Sequence, residues 1–133
     1  MRRKWLAIGI ILLFVGVTIA PAIAQGTEKS QSTSRGNWLY VGGSGLGNYT
    51  RIQDAINNSY NGDTIYVYNE SSPYYEHLQI QKSITLIGEE KNSTIIDGNG
   101  IDHVLSLDAN ETHIKNLTIR NGRDGIYFLH TMY

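Results

Sequence analysis

Two dipeptides, Glu76-His77 and Asp102-His103, put an imidazole next to a carboxylate. Each stands just before a short apolar segment, Leu78-Gln79-Ile80 and Leu105-Ser106-Leu107. If those segments stack, His77 and His103 face each other with two carboxylates at hand, a set able to hold a divalent metal. The competing reading is two solvent-exposed histidines at equivalent corners. His113 and His130 show no ligand spacing. Carboxylates are the other chemical resource. Polysaccharide cleavage needs acids at set separations across a groove, one of them able to give up a proton. Here Glu89-Glu90, Asp97, Asp102, Asp108 and Asp124 are scattered among turn residues. Aspartate at such places is explained by turn formation alone, so no catalytic residue is assigned.

The glycine run Gly42–Gly47 invites comparison with nucleotide-binding loops. A Gly-x-Gly-x-x-Gly match from Gly43 fails at Asn48, and a phosphate loop over Gly42–Gly47 lacks its lysine. It reads as a turn, and no cofactor-binding residue is assigned. Tyr66, Tyr68, Tyr74, Tyr75 and Tyr127 offer rings on which sugars stack. Tyrosine is also a good strand former, and Tyr74-Tyr75 after Pro73 can simply anchor a loop.

The elements that must carry these residues are mostly strands. Trp38–Val41 is a short apolar-aromatic run. Thr64–Tyr68 alternates with period two, and brief runs follow at Leu78–Ile80, Ile84–Ile87, Thr94–Ile96, Leu105–Leu107, Leu117–Ile119 and Ile126–Phe128. Gly, Asn, Asp or Ser bounds each one, which predicts an all-β chain. One helix interrupts, Arg51–Tyr60, with Thr50 and Gln53 spaced as a capping box and Ile52, Ala55 and Ile56 on one face. Lys82–Gly88 is similar to Lys115–Gly122, Thr94–Ile96 to Gly125–Tyr127, and Leu78/Ile80 to Leu105/Leu107. Similar segments recurring in one order predict stacked coils rather than a sandwich.

Residues 1–24 carry a basic head (Arg2-Arg3-Lys4), an apolar stretch, Pro21 and the small-x-small site Ala22-Ile23-Ala24, the parts of a secretory signal peptide. A retained membrane anchor is the alternative, and it is the chain's one expected route to a membrane. Residues 25–36 read as a flexible linker and 37–133 as the domain. The whole chain of 133 residues has net charge −1. Past the leader, 8 basic residues face 12 acidic ones, a net charge of −4 that disfavours nucleic acid and anionic membrane surfaces. With no cysteine, disulfides, thiolate nucleophiles and thiolate metal sites are excluded. Sequons at Asn48, Asn57, Asn69, Asn92, Asn110 and Asn116 suit an exported surface carrying glycans.

Tyr49–Ile56, Gly62–Val67, Lys82–Gly88, Thr94–Gly100, Ile119–Gly122 and Gly125–Tyr127 together resemble the right-handed parallel β-helix repeat proteins. These are the pectin-lyase-like proteins, including the group named after the copper-accessory protein NosD, and the likeness covers Trp38 to Phe128. It implies about two and a half rungs with a helix capping the N-terminal end. It implies inward stacking of Ile65/Val67, Ile84/Leu86 and Leu117/Ile119, of Ile95 on Ile126, and of Leu78/Ile80 on Leu105/Leu107.

The expectation is a secreted, cell-surface, non-enzymatic module serving adhesion, scaffolding or glycan contact. The alternatives are an extracellular polysaccharide lyase or glycoside hydrolase, and a metal-binding accessory module using His77 and His103. Calcium or copper would serve the alternatives; the first reading needs no cofactor. Expected partners are a surface glycan or protein. The C-terminal end, open after Ile126–Phe128, is expected to continue into a longer β-helix or to meet a covering partner.

Overall fold

A computed structural model describes residues 35–129. The expected leader, residues 25–34 of the expected linker, His130 and the last three residues lie outside them. The strands are β1 (Trp38–Val41), β2 (Thr64–Val67), β3 (Tyr74–Tyr75), β4 (Leu78–Ile80), β5 (Thr85–Gly88), β6 (Ile95–Asp97), β7 (Leu105–Leu107), β8 (His113–Lys115), β9 (Thr118–Arg120) and β10 (Ile126–Phe128). Among the described residues, one short helix, α1 (Ile52–Asn58), lies between β1 and β2, and one 3-10 turn covers Asn69–Ser71.

The strands form three sheets in the orders β1-β2-β5-β8, β3-β6-β9 and β10-β7-β4, and every pairing is parallel. From β2 onward the chain visits the three sheets in turn, then returns to the first. Mostly strand, all parallel, with one short helix, the domain has the construction of an all-β parallel solenoid.

Alternation along each strand sends one set of side chains inward. Ile65, Leu86 and Ile114 stack in register across the first sheet, Ile96 and Ile119 across the second, and Leu78 with Leu105 and Ile80 with Leu107 across the third. Ile65, Leu86, Ile96, Leu78, Ile80 and Leu105 are essentially inaccessible, and each contributes about 1.5–3 kcal/mol by leaving water. Gly88 continues the Val67 column where no side chain fits: a Cβ there would lie 2.3 Å from the Asn116 carbonyl oxygen.

The third-sheet stacking agrees with expectation, but the other two walls are shifted by one strand. Leu117 and Ile119 do not lie beneath Leu86. Ile114 does, and Ile119 belongs to the second sheet under Ile96. Ile95 aligns with Thr118, while Ile126 aligns with Leu105.

Helix α1 spans seven residues and buries Ile52, Ala55 and Ile56, packing beside β1, β2 and β4. The Thr50–Gln53 capping box does not form. Arg51 is the N-cap residue without a side-chain cap bond. The free N–H groups of Ile52 and Gln53 donate instead to Glu76 Oε1 and Oε2, at 2.8 and 3.1 Å. The Gln53 amide bridges to the backbone of Gln79. At the other end Lys82 Nζ donates to the carbonyls of Ile56, Asn57 and Ser59, where a cation suits the last turn.

Candidate functional site

The outward positions of the first sheet form two columns in register, Trp38–Thr64–Thr85–His113 and Tyr40–Tyr66–Ile87–Lys115. At the β1–β2 end the face is aromatic. Trp38 and Tyr40 lie 6.4 Å apart between ring centroids, Tyr40 and Tyr66 6.2 Å, Tyr40 and Tyr68 6.2 Å, and Tyr66 and Tyr68 5.1 Å edge to face. Such pairs are worth about 0.5–1.5 kcal/mol each beyond the area they bury. The two β1 rings remain widely exposed, Trp38 at 54% and Tyr40 at 39%. The result is a strip of adjoining ring faces open to solvent. Burial among its neighbours, aided by Glu89 and Tyr68, pushes the Tyr66 phenol upward. At the β8 end the same face carries exposed His113 and Lys115.

Tyr66 and Tyr68 sit where the sequence suggests, and Tyr75 is exposed. Tyr74 does not belong to this group. It is 5% exposed and belongs to the core, its hydroxyl donating to the Tyr68 carbonyl at 2.6 Å. Gly42 makes room for it, since a Cβ there would lie 2.1 Å from the Tyr74 hydroxyl. The Gly42–Gly47 loop is a turn, closed by Gly42 N–H donating to Tyr49 and Tyr49 N–H to Tyr40. Trp38 and Tyr40 extend this candidate strip, and the sequence reading leaves them out of it. Their signal was available: Trp38-x-Tyr40 has the same period as Tyr66-x-Tyr68.

His77 and His103 do meet at successive corners. The His77 Nδ1 donates to the His103 carbonyl at 2.9 Å. The imidazole of His103 is turned toward different neighbours. It stacks on Tyr127 at 4.3 Å and 13°. Its Nδ1 lies 2.8 Å from Asp124 Oδ2, without the alignment of a hydrogen bond. Its Nε2 lies 3.3 Å from the Arg123 guanidinium and 3.6 Å from Asp102 Oδ1. Among the described residues, no three His, Asp or Glu side chains converge as metal ligands.

The acids serve their own corners. Asp97, 3% exposed, accepts from the Asn99 N–H at 2.9 Å, from Arg120 Nε at 2.9 Å and from Asn121 Nδ2 at 2.9 Å. These donors, the Asn99 N–H foremost, hold it below the ordinary carboxylate range. Glu90 is lowered by the Ser93 hydroxyl and the Asn92 N–H, and Asp102 by the His103 N–H. A carboxylate held ionised in this way is a poor proton donor. Among the described residues, no helix is long and apolar enough to cross a membrane.

No family model matches the chain, and no solved structure matches it. Among curated proteins it is similar to probable pectinesterase 56 of Arabidopsis thaliana, with 29% identity over 109 residues. The match takes in 75% of this chain and 37% of the relative, so the chain spans little more than a third of that protein's length.

Proposed function

We propose that this chain is a secreted, cell-surface module of the right-handed parallel β-helix kind, with about two and a half rungs, that contacts glycan without chemically altering it. Helix α1 covers the N-terminal end of the coil. The observation that carries the reading is the run of Trp38, Tyr40, Tyr66 and Tyr68 along one outward face. Pyranose rings present apolar C–H faces, and a row of solvent-exposed aromatic rings receives them while hydroxyl groups at the edges donate and accept. Lys115 and His113, farther along the same face, suit a polymer bearing carboxylates, and the similar protein is named a pectinesterase. Pectin is therefore the first glycan to test.

Affinity electrophoresis in gels containing pectin, alginate or a neutral glucan tests the reading. The mature chain should be retarded by at least one acidic polymer, and a Tyr40→Ala/Tyr66→Ala variant should run freely. The same mixtures, assayed for released methanol, new reducing ends and unsaturated products, should show no turnover.

The likeness to a pectinesterase favours one rival, an extracellular carbohydrate-active enzyme of the same fold. Turnover abolished by replacing a single corner acid such as Asp124 would establish that rival and remove the non-enzymatic reading.

A further inference from the structure

The six sequons lie in two chemically distinct situations, and the difference is in the side-chain amide. N-linked transfer joins Asn Nδ2 to C1 of an oligosaccharide donated from a lipid-linked phosphate. The C1–O bond breaks, its electron pair leaves with the lipid phosphate, and Nδ2 loses one proton to the transferase. The product amide keeps one N–H and carries a bulky sugar where the other pointed. A folded chain therefore tolerates the sugar only where Nδ2 faces solvent.

Asn116 fails that condition completely. Its Nδ2 donates both hydrogens inward, to the carbonyls of Gly88 and Glu89 at 3.0 Å each. Its backbone is held at φ 57°, and its carbonyl packs against Gly88. Asn48 donates to the Gly42 carbonyl at 2.7 Å from inside the glycine loop, with Gly45 closing over its amide. Asn69 donates to Ser93 Oγ at 2.9 Å, tying one corner to the next. Both are half-buried.

The other three are exposed, as Asn116 also is, and what separates them from Asn116 is the use of the amide nitrogen. Asn57 uses only its oxygen, accepting from Gln53 Nε2 at 3.0 Å, which leaves Nδ2 outward. Asn92 and Asn110 are held through the backbone, the first by its N–H to Glu90 Oε2, the second by its carbonyl from Ser83. Among the described residues, neither side-chain amide nitrogen donates inward. The hydroxyls two residues on are engaged within the fold, Ser59 with Ile56, Thr94 with Glu90 and Thr112 with Lys82. A transferase that must read those hydroxyls would therefore have to act before the corners close.

We infer that the folded, exported chain carries N-linked oligosaccharide at Asn57, Asn92 and Asn110 and bears none at Asn48, Asn69 and Asn116. This rests on the reading that the chain is secreted. The test is to export the full chain from a host with N-linked glycosylation, isolate the folded fraction, and map occupied sites by glycopeptide mass spectrometry. Sugar should appear at the three outward sites alone. Asn57→Gln, Asn92→Gln and Asn110→Gln should each remove one glycan mass and leave the melting temperature unchanged. Asn116→Gln should leave the mass pattern unchanged and lower the melting temperature. A leader-processed chain with sugar on Asn48, Asn69 or Asn116, or with none at all, overturns the inference. Retention of an unprocessed chain in the cell overturns the secretion reading and the inference with it.

Discussion

Glu76 shows how a single residue joins distant parts of this chain. Its buried carboxylate receives the first two N–H groups of α1 from 23 and 24 positions away, with Arg51 at 3.9 Å. Removing it leaves two helix-end donors without a partner, one of them in the core. Glu76→Ala should cost about 1–3 kcal/mol, whereas Thr50→Ala, whose hydroxyl caps nothing, should change stability by less than about 0.5 kcal/mol. Urea denaturation of both variants checks the pair. Glu90, Asp97 and Asp102 give a pH prediction. Each is held below its ordinary range in the fold, so on acidification the unfolded chain takes up protons first. Their stabilisation is complete above the ordinary carboxylate range, begins to fall there, and is lost as pH falls on through their lowered folded values. The denaturation midpoint should hold level from neutral to about pH 5 and drop below about pH 4. Asp97→Asn should flatten that drop. At the histidine corner, His77 Nδ1 is already engaged and, among the described residues, no third ligand converges. Calorimetric titration with copper or zinc should therefore give the same weak heats for the native chain and for His77→Ala/His103→Ala. Tight binding lost in the double variant would establish the metal reading.

At the scale of elements, stability resides in the inward columns. Leu86 lies between Ile65 and Ile114 and is wholly buried. Leu86→Asp strands a charge there and should unfold the domain, a loss above about 4 kcal/mol. Leu117 only flanks the core, so Leu117→Asp should shift the thermal midpoint far less. Circular dichroism melts of the two variants separate them. The contrast also marks what the sequence made legible. Strands with two inward apolar residues, such as Leu78-x-Ile80 and Leu105-x-Leu107, announced themselves and their stacking. β8 has one apolar residue between two polar ones, His113-Ile114-Lys115, and β3 has two residues. Neither stands out as a strand, and overlooking β8 shifts the pairing of every later wall by one strand. The Glu76 cap was invisible for another reason. A side chain reaching across the coil leaves no local signature, whereas Thr50 and Gln53 supply one that the structure does not use. Of the aromatic strip, the β2 half was readable from its alternation, and the β1 half became part of it through the parallel pairing Tyr40–Tyr66.

Taken whole, the domain replaces local hairpins with returns. From β2 onward, Leu78 pairs with Leu105 and Thr85 with His113, so each of these strands meets its next neighbour only after the chain has travelled through the other two sheets. Such separations make folding slow, and they also place polar corners on the outside while one sheet presents a continuous outward face. That face holds Trp38, the lone tryptophan once the leader is removed, since the only other is Trp5. It therefore reports from inside the proposed glycan surface. Titrating the mature chain with oligogalacturonides while following tryptophan emission tests the central claim most directly. The account predicts a saturable change in emission that Tyr40→Ala/Tyr66→Ala abolishes while keeping the native circular dichroism spectrum. Emission unaltered by saturating acidic and neutral oligosaccharides, or an identical response from the double variant, would contradict it.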